Sequence, residues 1–185
     1  MATTINATSA GLSVSPDVSG QIQFQSGGTT IATVTPTGIT TQVGAPAFSV
    51  MNNGTAQSVS NQTWTKVALN TKDFDTNSNF DATTNYRFQP TVAGYYQLSS
   101  FVSGPSNSTQ NQITAIYKNG SIYKYLGAVQ NLNATAVVND GVSGSMLISL
   151  NGSTDYVELW VYQQTGSTVN TAGSAYLTGF LARSA

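Results

Sequence analysis

The chain has 185 residues and only 7% charged side chains, against about 25% in an ordinary soluble domain. Six Lys or Arg stand against seven Asp or Glu, too few and too scattered for the basic stripe that a phosphate backbone requires, so nucleic acid is not an expected partner. With no Cys and no His, the chain has no disulfide framework and no thiolate or imidazole for zinc or catalysis.

What remains is rich in Ser, Thr, Asn, Gln and Gly, with nine Tyr, seven Phe and two Trp. Thr and aromatics favour strands, whereas Gly, Asn and Ser favour turns. The composition therefore reads as an all-β protein, not as disorder, which lacks aromatics. A near-neutral surface does little to hold copies apart, so self-association is expected. No run approaches the roughly 18 apolar residues needed to span a bilayer, so membrane insertion is not expected. Met1–Asn6 lacks a basic segment followed by an apolar run. Unless a leader has been removed, assembly in the cytosol is the expectation.

In chain order, residues 1–19 read as an extended arm. Gln21-Ile22-Gln23-Phe24-Gln25 and Thr30-Ile31-Ala32-Thr33-Val34-Thr35 alternate polar and apolar residues around Ser26-Gly27-Gly28, the pattern of a β-hairpin. Pro36-Thr37-Gly38 makes a second turn. An isolated hairpin is marginal in water, so Ile22, Phe24, Ile31 and Val34 are candidate attachment residues, to be covered by another subunit or another protein. Val43-Gly44-Ala45-Pro46 reads as a boundary, giving a 1–43 arm and hairpin and a 44–185 head. Strands are expected at 47–51, 63–69, 86–89, 95–103, 112–118, 121–129, 144–150, 156–163 and 175–182, the spacing of a sandwich or barrel. The span 130–142 has no decisive pattern.

Two strands are apolar or aromatic on both faces. Val157, Leu159 and Val161 alternate with Tyr156, Glu158, Trp160 and Tyr162; Leu177 and Leu181 alternate with Tyr176, Thr178 and Phe180. One face fills the core and the other is also covered. Tyr95, Tyr156, Trp160, Tyr162, Tyr176 and Phe180 are therefore candidate subunit-interface residues. The alternative for Trp160 and Tyr162 is a stacking platform for a sugar ring.

From Pro46 onward the motifs follow an order: Ala47-Phe48-Ser49-Val50, Phe80-Asp81, Tyr86-Arg87-Phe88-Gln89-Pro90, Ala93-Gly94-Tyr95-Tyr96, Tyr117-Lys118-Asn119-Gly120, Leu159-Trp160-Val161 and Leu177-Thr178-Gly179-Phe180-Leu181. This order resembles the complement C1q and tumour-necrosis-factor-like jelly-roll family. Asn151-Gly152-Ser153-Thr154-Asp155 departs from the family's Gly-Asp turn, and Gln97 and Ser100 stand where it prefers aromatics. The resemblance implies a jelly-roll β-sandwich that assembles as a homotrimer and is presented on a stalk or arm. Separately, Ser19-Gly20-Gln21-Ile22-Gln23-Phe24-Gln25-Ser26-Gly27-Gly28, continuing to Ile39, resembles short repeats in bacteriophage tail-fibre and virion-attachment segments. Together they imply a non-enzymatic virion structural protein, a trimeric capsid decoration or short fibre assembled in the host cytoplasm and bound to a capsid or tail protein. The alternative is an adhesive, receptor-binding module for a host-surface glycan.

Asp73, Asp75 and Asp81 form the only acidic cluster. Oxygen ligands at alternate positions make calcium a candidate, but the turn glycine of a calcium loop is replaced by Ser78 and no Glu closes it. The competing reading is a solvated Asp/Asn turn between strands. No other cofactor is expected.

Overall fold

The computed structural model describes residues 20–35, 40–42, 45–104, 111–129, 141–170 and 173–185. The arm at 1–19, the turn at 36–38 and most of the span 130–142 lie outside the described residues. The chain divides into two compact units, Met1–Gly44 and Ala45–Ala185.

In the first unit, β1 (Ile22–Ser26), β2 (Thr29–Val34) and β3 (Thr40–Gln42) form an antiparallel sheet in that order. Gly27 and Gly28 both adopt positive φ, 58° and 81°. Two left-handed residues in a two-residue loop match the right-handed twist of the strands they join, and glycine does this without strain. Ile22 pairs with Val34 and Phe24 with Ala32; Phe24 is exposed. The third strand was not expected, because Thr-Thr-Gln carries no apolar alternation.

The second unit is a sandwich. Its strands are β4 (Ala47–Met51), β5 (Ser58–Val59), β6 (Thr65–Lys66), β7 (Thr71–Asp75), β8 (Phe80–Asp81), β9 (Arg87–Phe88), β10 (Gly94–Ser103), β11 (Gln112–Lys118), β12 (Ser121–Val129), β13 (Gly141–Leu150), β14 (Val157–Gln163), β15 (Val169–Asn170) and β16 (Ala175–Ser184). One sheet has the order β13-β10-β16-β4-β7; the other has β12-β11-β14-β9-β8, with β6 also on β14; β5 and β15 form a short separate pair. From β10 onward the chain passes repeatedly between the two large sheets, and their ladders are antiparallel. This is the strand order of a jelly roll.

Alternation places Phe48, Val50, Tyr96, Leu98, Ile148 and Leu177 of the five-stranded sheet against Phe88, Ile116, Val157, Leu159 and Val161 of the other, all buried. Phe48 and Phe88 stack with centroids 4.2 Å apart. The Tyr96 hydroxyl donates to the Val92 carbonyl at 2.7 Å, and burial pushes its phenol up to about 12. Gly179 lies among these apolar residues for a packing reason. A Cβ there would stand 2.7 Å from both Leu98 and Phe48. The Asn119-Gly120 turn between β11 and β12 again has two positive-φ residues. In the loop that departs from the family pattern, the Asn151 side-chain oxygen accepts the amides of Ser153, Thr154 and Asp155, so one carboxamide organises the turn.

Candidate functional site

The outer face of the five-stranded sheet exposes a row of large apolar side chains. Tyr95 is 44% exposed, Leu147 53%, Tyr176 42% and Phe180 52%. Register explains their grouping. Gln97 pairs with both Phe180 and Leu147, aligning those three across the sheet. Two residues further along β10, Ser99 pairs with Ser145 and Thr178, and Thr178 with Ser49. Another step brings Phe101 opposite Tyr176, their rings stacked at 5.8 Å. Two aromatic-bearing rows thus flank a row of hydroxyls. At one edge of the other sheet, β12 exposes Ile122, Tyr123 and Tyr125.

The six candidate interface residues divide between two sheets. Tyr95, Tyr176 and Phe180 belong to the face just described. Tyr156, Trp160 and Tyr162 belong to the outer face of the six-stranded sheet and are half-buried by their own chain. Trp160 stacks on Tyr117 at 4.3 Å and 17°, and the Lys66 ammonium sits 5.9 Å from its ring centroid. Trp64 packs against Tyr117, Tyr125 and Tyr162. Tyr156 is covered by the Arg87 guanidinium at 4.3 Å. Trp160 is thus stacked within its own chain and half-buried. Trp64 had no assigned role in the sequence reading; its aromatic character beside a strand was the available signal.

Glu158 lies within this aromatic layer and is buried. Its Oε1 accepts from Lys66 Nζ at 2.8 Å and its Oε2 from Trp160 Nε1 at 3.0 Å. Lys66 also donates to the Asn85 carbonyl. The charge is therefore paired and hydrogen-bonded, as a buried charge requires.

Asp73, Asp75 and Asp81 do not converge, which corrects the calcium expectation. Asp73 accepts from the Ser49 hydroxyl at 2.8 Å on β4. Asp75 accepts the Asn79 and Phe80 amides and the Lys72 ammonium. Burial pushes its carboxyl up, but the bonds from Lys72, Phe80 and Asn79 outweigh that and hold it below the usual carboxylate value. Asp81 accepts the amides of Thr84, Thr83 and Asn85 and the Asn85 side chain; these bonds, led by Thr84, hold it well below the usual range. Each carboxylate is a turn or edge fastening. Among the described residues, no group of three His, Cys, Asp or Glu could hold a metal.

Of the candidate attachment residues, Ile22 and Val34 are paired and half-buried and Phe24 is exposed. Ile31 lies on β2, and its side chain is outside the described residues.

The sandwich and its strand order define an all-β jelly roll. Among solved structures the chain is similar to the tumour-necrosis-factor protein Eiger of S. frugiperda, at 13% identity over 76% of this chain and 93% of that one, with TM-score 0.49. It is also similar to murine APRIL, at 12% identity over 74% and 98%, with TM-score 0.49. No family model and no curated protein matches the chain. No helix among the described residues is long and apolar enough to cross a membrane.

Proposed function

We propose that this chain is a non-enzymatic structural protein of a bacteriophage virion, a homotrimeric capsid decoration or short fibre that projects its jelly-roll head. The observation that carries the oligomeric part is the exposed face of Tyr95, Leu147, Tyr176 and Phe180. Contiguous exposed apolar surface of this kind marks an interaction site. The β12 edge, with Ile122, Tyr123 and Tyr125, is a second exposed apolar surface elsewhere on the same subunit. Two different patches that meet make a head-to-tail contact, which generates a ring when the rotation between subunits closes. The virion assignment is supported by the fibre-like segment from Ser19 to Ile39, and attachment through Phe24 suits its exposure.

Sedimentation equilibrium of the purified protein tests the assembly: a trimer is expected, and a monomer at tens of micromolar rejects it. Electron microscopy of particles lacking the gene tests the location. The expected result is loss of a projection; particles unchanged in outline reject the virion role. Glycan adhesion is the second reading, favoured by a polar cavity around Arg87.

A further inference from the structure

Three of the chain's six cations are spent in ion pairs: Lys66 with Glu158, Lys72 with Asp75 and Lys118 with Asp155. Arg87 is not. Its guanidinium lies over Tyr156, 4.3 Å from the ring centroid, and makes no hydrogen bond or ion pair among the described residues. A cation–π contact uses no N–H donor, so the donors of the guanidinium stay available to a ligand. Arg87 lines a cavity of about 400 Å³ together with Ser78, Asn79, Asp81, Gln89 and Ser153.

The lining shows what would fit. Asp81 is the cross-strand neighbour of Arg87, yet the two form no ion pair among the described residues, and both Asp81 oxygens accept from Thr83, Thr84 and Asn85. One cation and one anion therefore share the cavity. Any anionic ligand on Arg87 also meets the Asp81 charge, and a dianionic phosphate meets it more strongly than a single carboxylate does. Gln89 donates its Nε2 to the Ser153 carbonyl at 2.9 Å, which fixes the amide and leaves its Oε1 able to accept. Ser78, a left-handed residue at φ 55°, also lines the cavity.

We propose that this cavity binds a uronic acid unit of an acidic polysaccharide. The sugar carboxylate takes the two-pronged edge of Arg87, and ring hydroxyls take Gln89 and Ser78. Two N–H donors at fixed spacing match the two carboxylate oxygens. The inference deepens the glycan-adhesion reading and is independent of self-association.

Calorimetric titration of the full chain with methyl β-glucuronide, methyl β-glucoside, acetate and inorganic phosphate tests it. Glucuronide is expected to bind about tenfold or more tightly than either glucoside or acetate, since both parts of the ligand are used. Arg87→Gln should abolish that preference, and Arg87→Lys should lose most of it, because a point charge cannot replace the fork. An unchanged melting temperature shows that these variants are folded. Absent glucuronide binding, equal binding of glucuronide and glucoside, acetate binding as tight as glucuronide, or tighter phosphate binding would each overturn the proposal. If Arg87→Gln protein still labels host cells as the wild type does, the cavity is rejected and the adhesive reading stands; if the wild type labels none, the adhesive reading falls.

Discussion

Lys66 and Glu158 stand 92 positions apart in the chain and meet at 2.8 Å. Their contact ties the short β6 segment to β14 beneath the Trp160 ring. Lys66→Met removes the partner of a buried carboxylate and is expected to cost about 1–3 kcal/mol, less than for a fully buried pair because the lysine is partly solvated. Urea denaturation measures the loss. Adding Glu158→Gln should recover part of it, since the stranded charge is then gone.

The two aromatic groups should respond differently to truncation. Phe180→Glu or Tyr176→Lys places a charge on the exposed five-stranded face, and the expected outcome is a folded monomer in sedimentation. Trp160→Ala removes a ring stacked on Tyr117 and should lower stability by about 3 kcal/mol while leaving the oligomeric state unchanged. Monomers from Trp160→Ala, with a trimer retained in Phe180→Glu, would reverse the assignment.

Gly179→Ala is expected to destabilise by about 1–3 kcal/mol, the range for overpacking a filled core. The added methyl meets Phe48 and Leu98 and has no direction in which to move. Thermal melting reads the change, and an unaltered midpoint would show that the two sheets have room to separate.

Ser100 and Thr114 bury hydroxyls that have no hydrogen-bond partner among the described residues. Thr114→Val keeps the shape and removes an unpaired polar group, so it should stabilise by about 1 kcal/mol. Ser100→Ala should act in the same direction by a smaller amount. Either substitution proving destabilising would point to a partner that these hydroxyls do have.

Stability should fall at both extremes of pH. Asp75, Asp81 and Asp155 all have carboxyls held below the ordinary aspartate value of 3.8; for Asp155 the Lys118 ammonium is the leading cause, then Asn119. Unfolding returns each to its ordinary value, so the unfolded chain binds more protons below it. Their contribution is present above about pH 4 and is lost as pH falls through the lower folded values. Tyr96 has the opposite sign. Its folded value of about 12 exceeds 10.0, so its contribution is intact below pH 10 and is lost between 10 and about 12. Denaturant midpoints from pH 2 to 12 check both limbs, and Tyr96→Phe should flatten the alkaline one.

Strands rich in β-branched and aromatic residues could be read directly, although of β4, β11 and β12 only β4 alternates in burial. The expected spans 47–51, 112–118 and 121–129 coincide with β4, β11 and β12. Thr71–Asp75 could not, because its Lys and Asp residues obscure the alternation. Those charges belong there because β7 closes the end of its sheet, where charge discourages pairing with another chain. The expected strand at 63–69 shrank to Thr65–Lys66, although the Val67 amide still donates to the Leu159 carbonyl at 2.9 Å. The Asp73–Asp81 stretch suggested ligands through residue type alone, whereas what each carboxylate does depends on amides and on Lys72. The doubly apolar strands were legible as such. Which of their outer faces the chain covers by itself was not, because the cover over Trp160 comes from Lys66 and Tyr117, residues distant in sequence.

The row Ser145, Ser99, Thr178 and Ser49 has a consequence for how any surface could seat on this sheet. Moving a partner by one same-face step, about 7 Å along the strands, would press its apolar groups onto hydroxyls and leave Phe180 or Tyr176 facing polar atoms. Sliding is thus penalised in either direction. The banding makes the face a keyed surface rather than a greasy one, and alignment is written into the spacing of its rows.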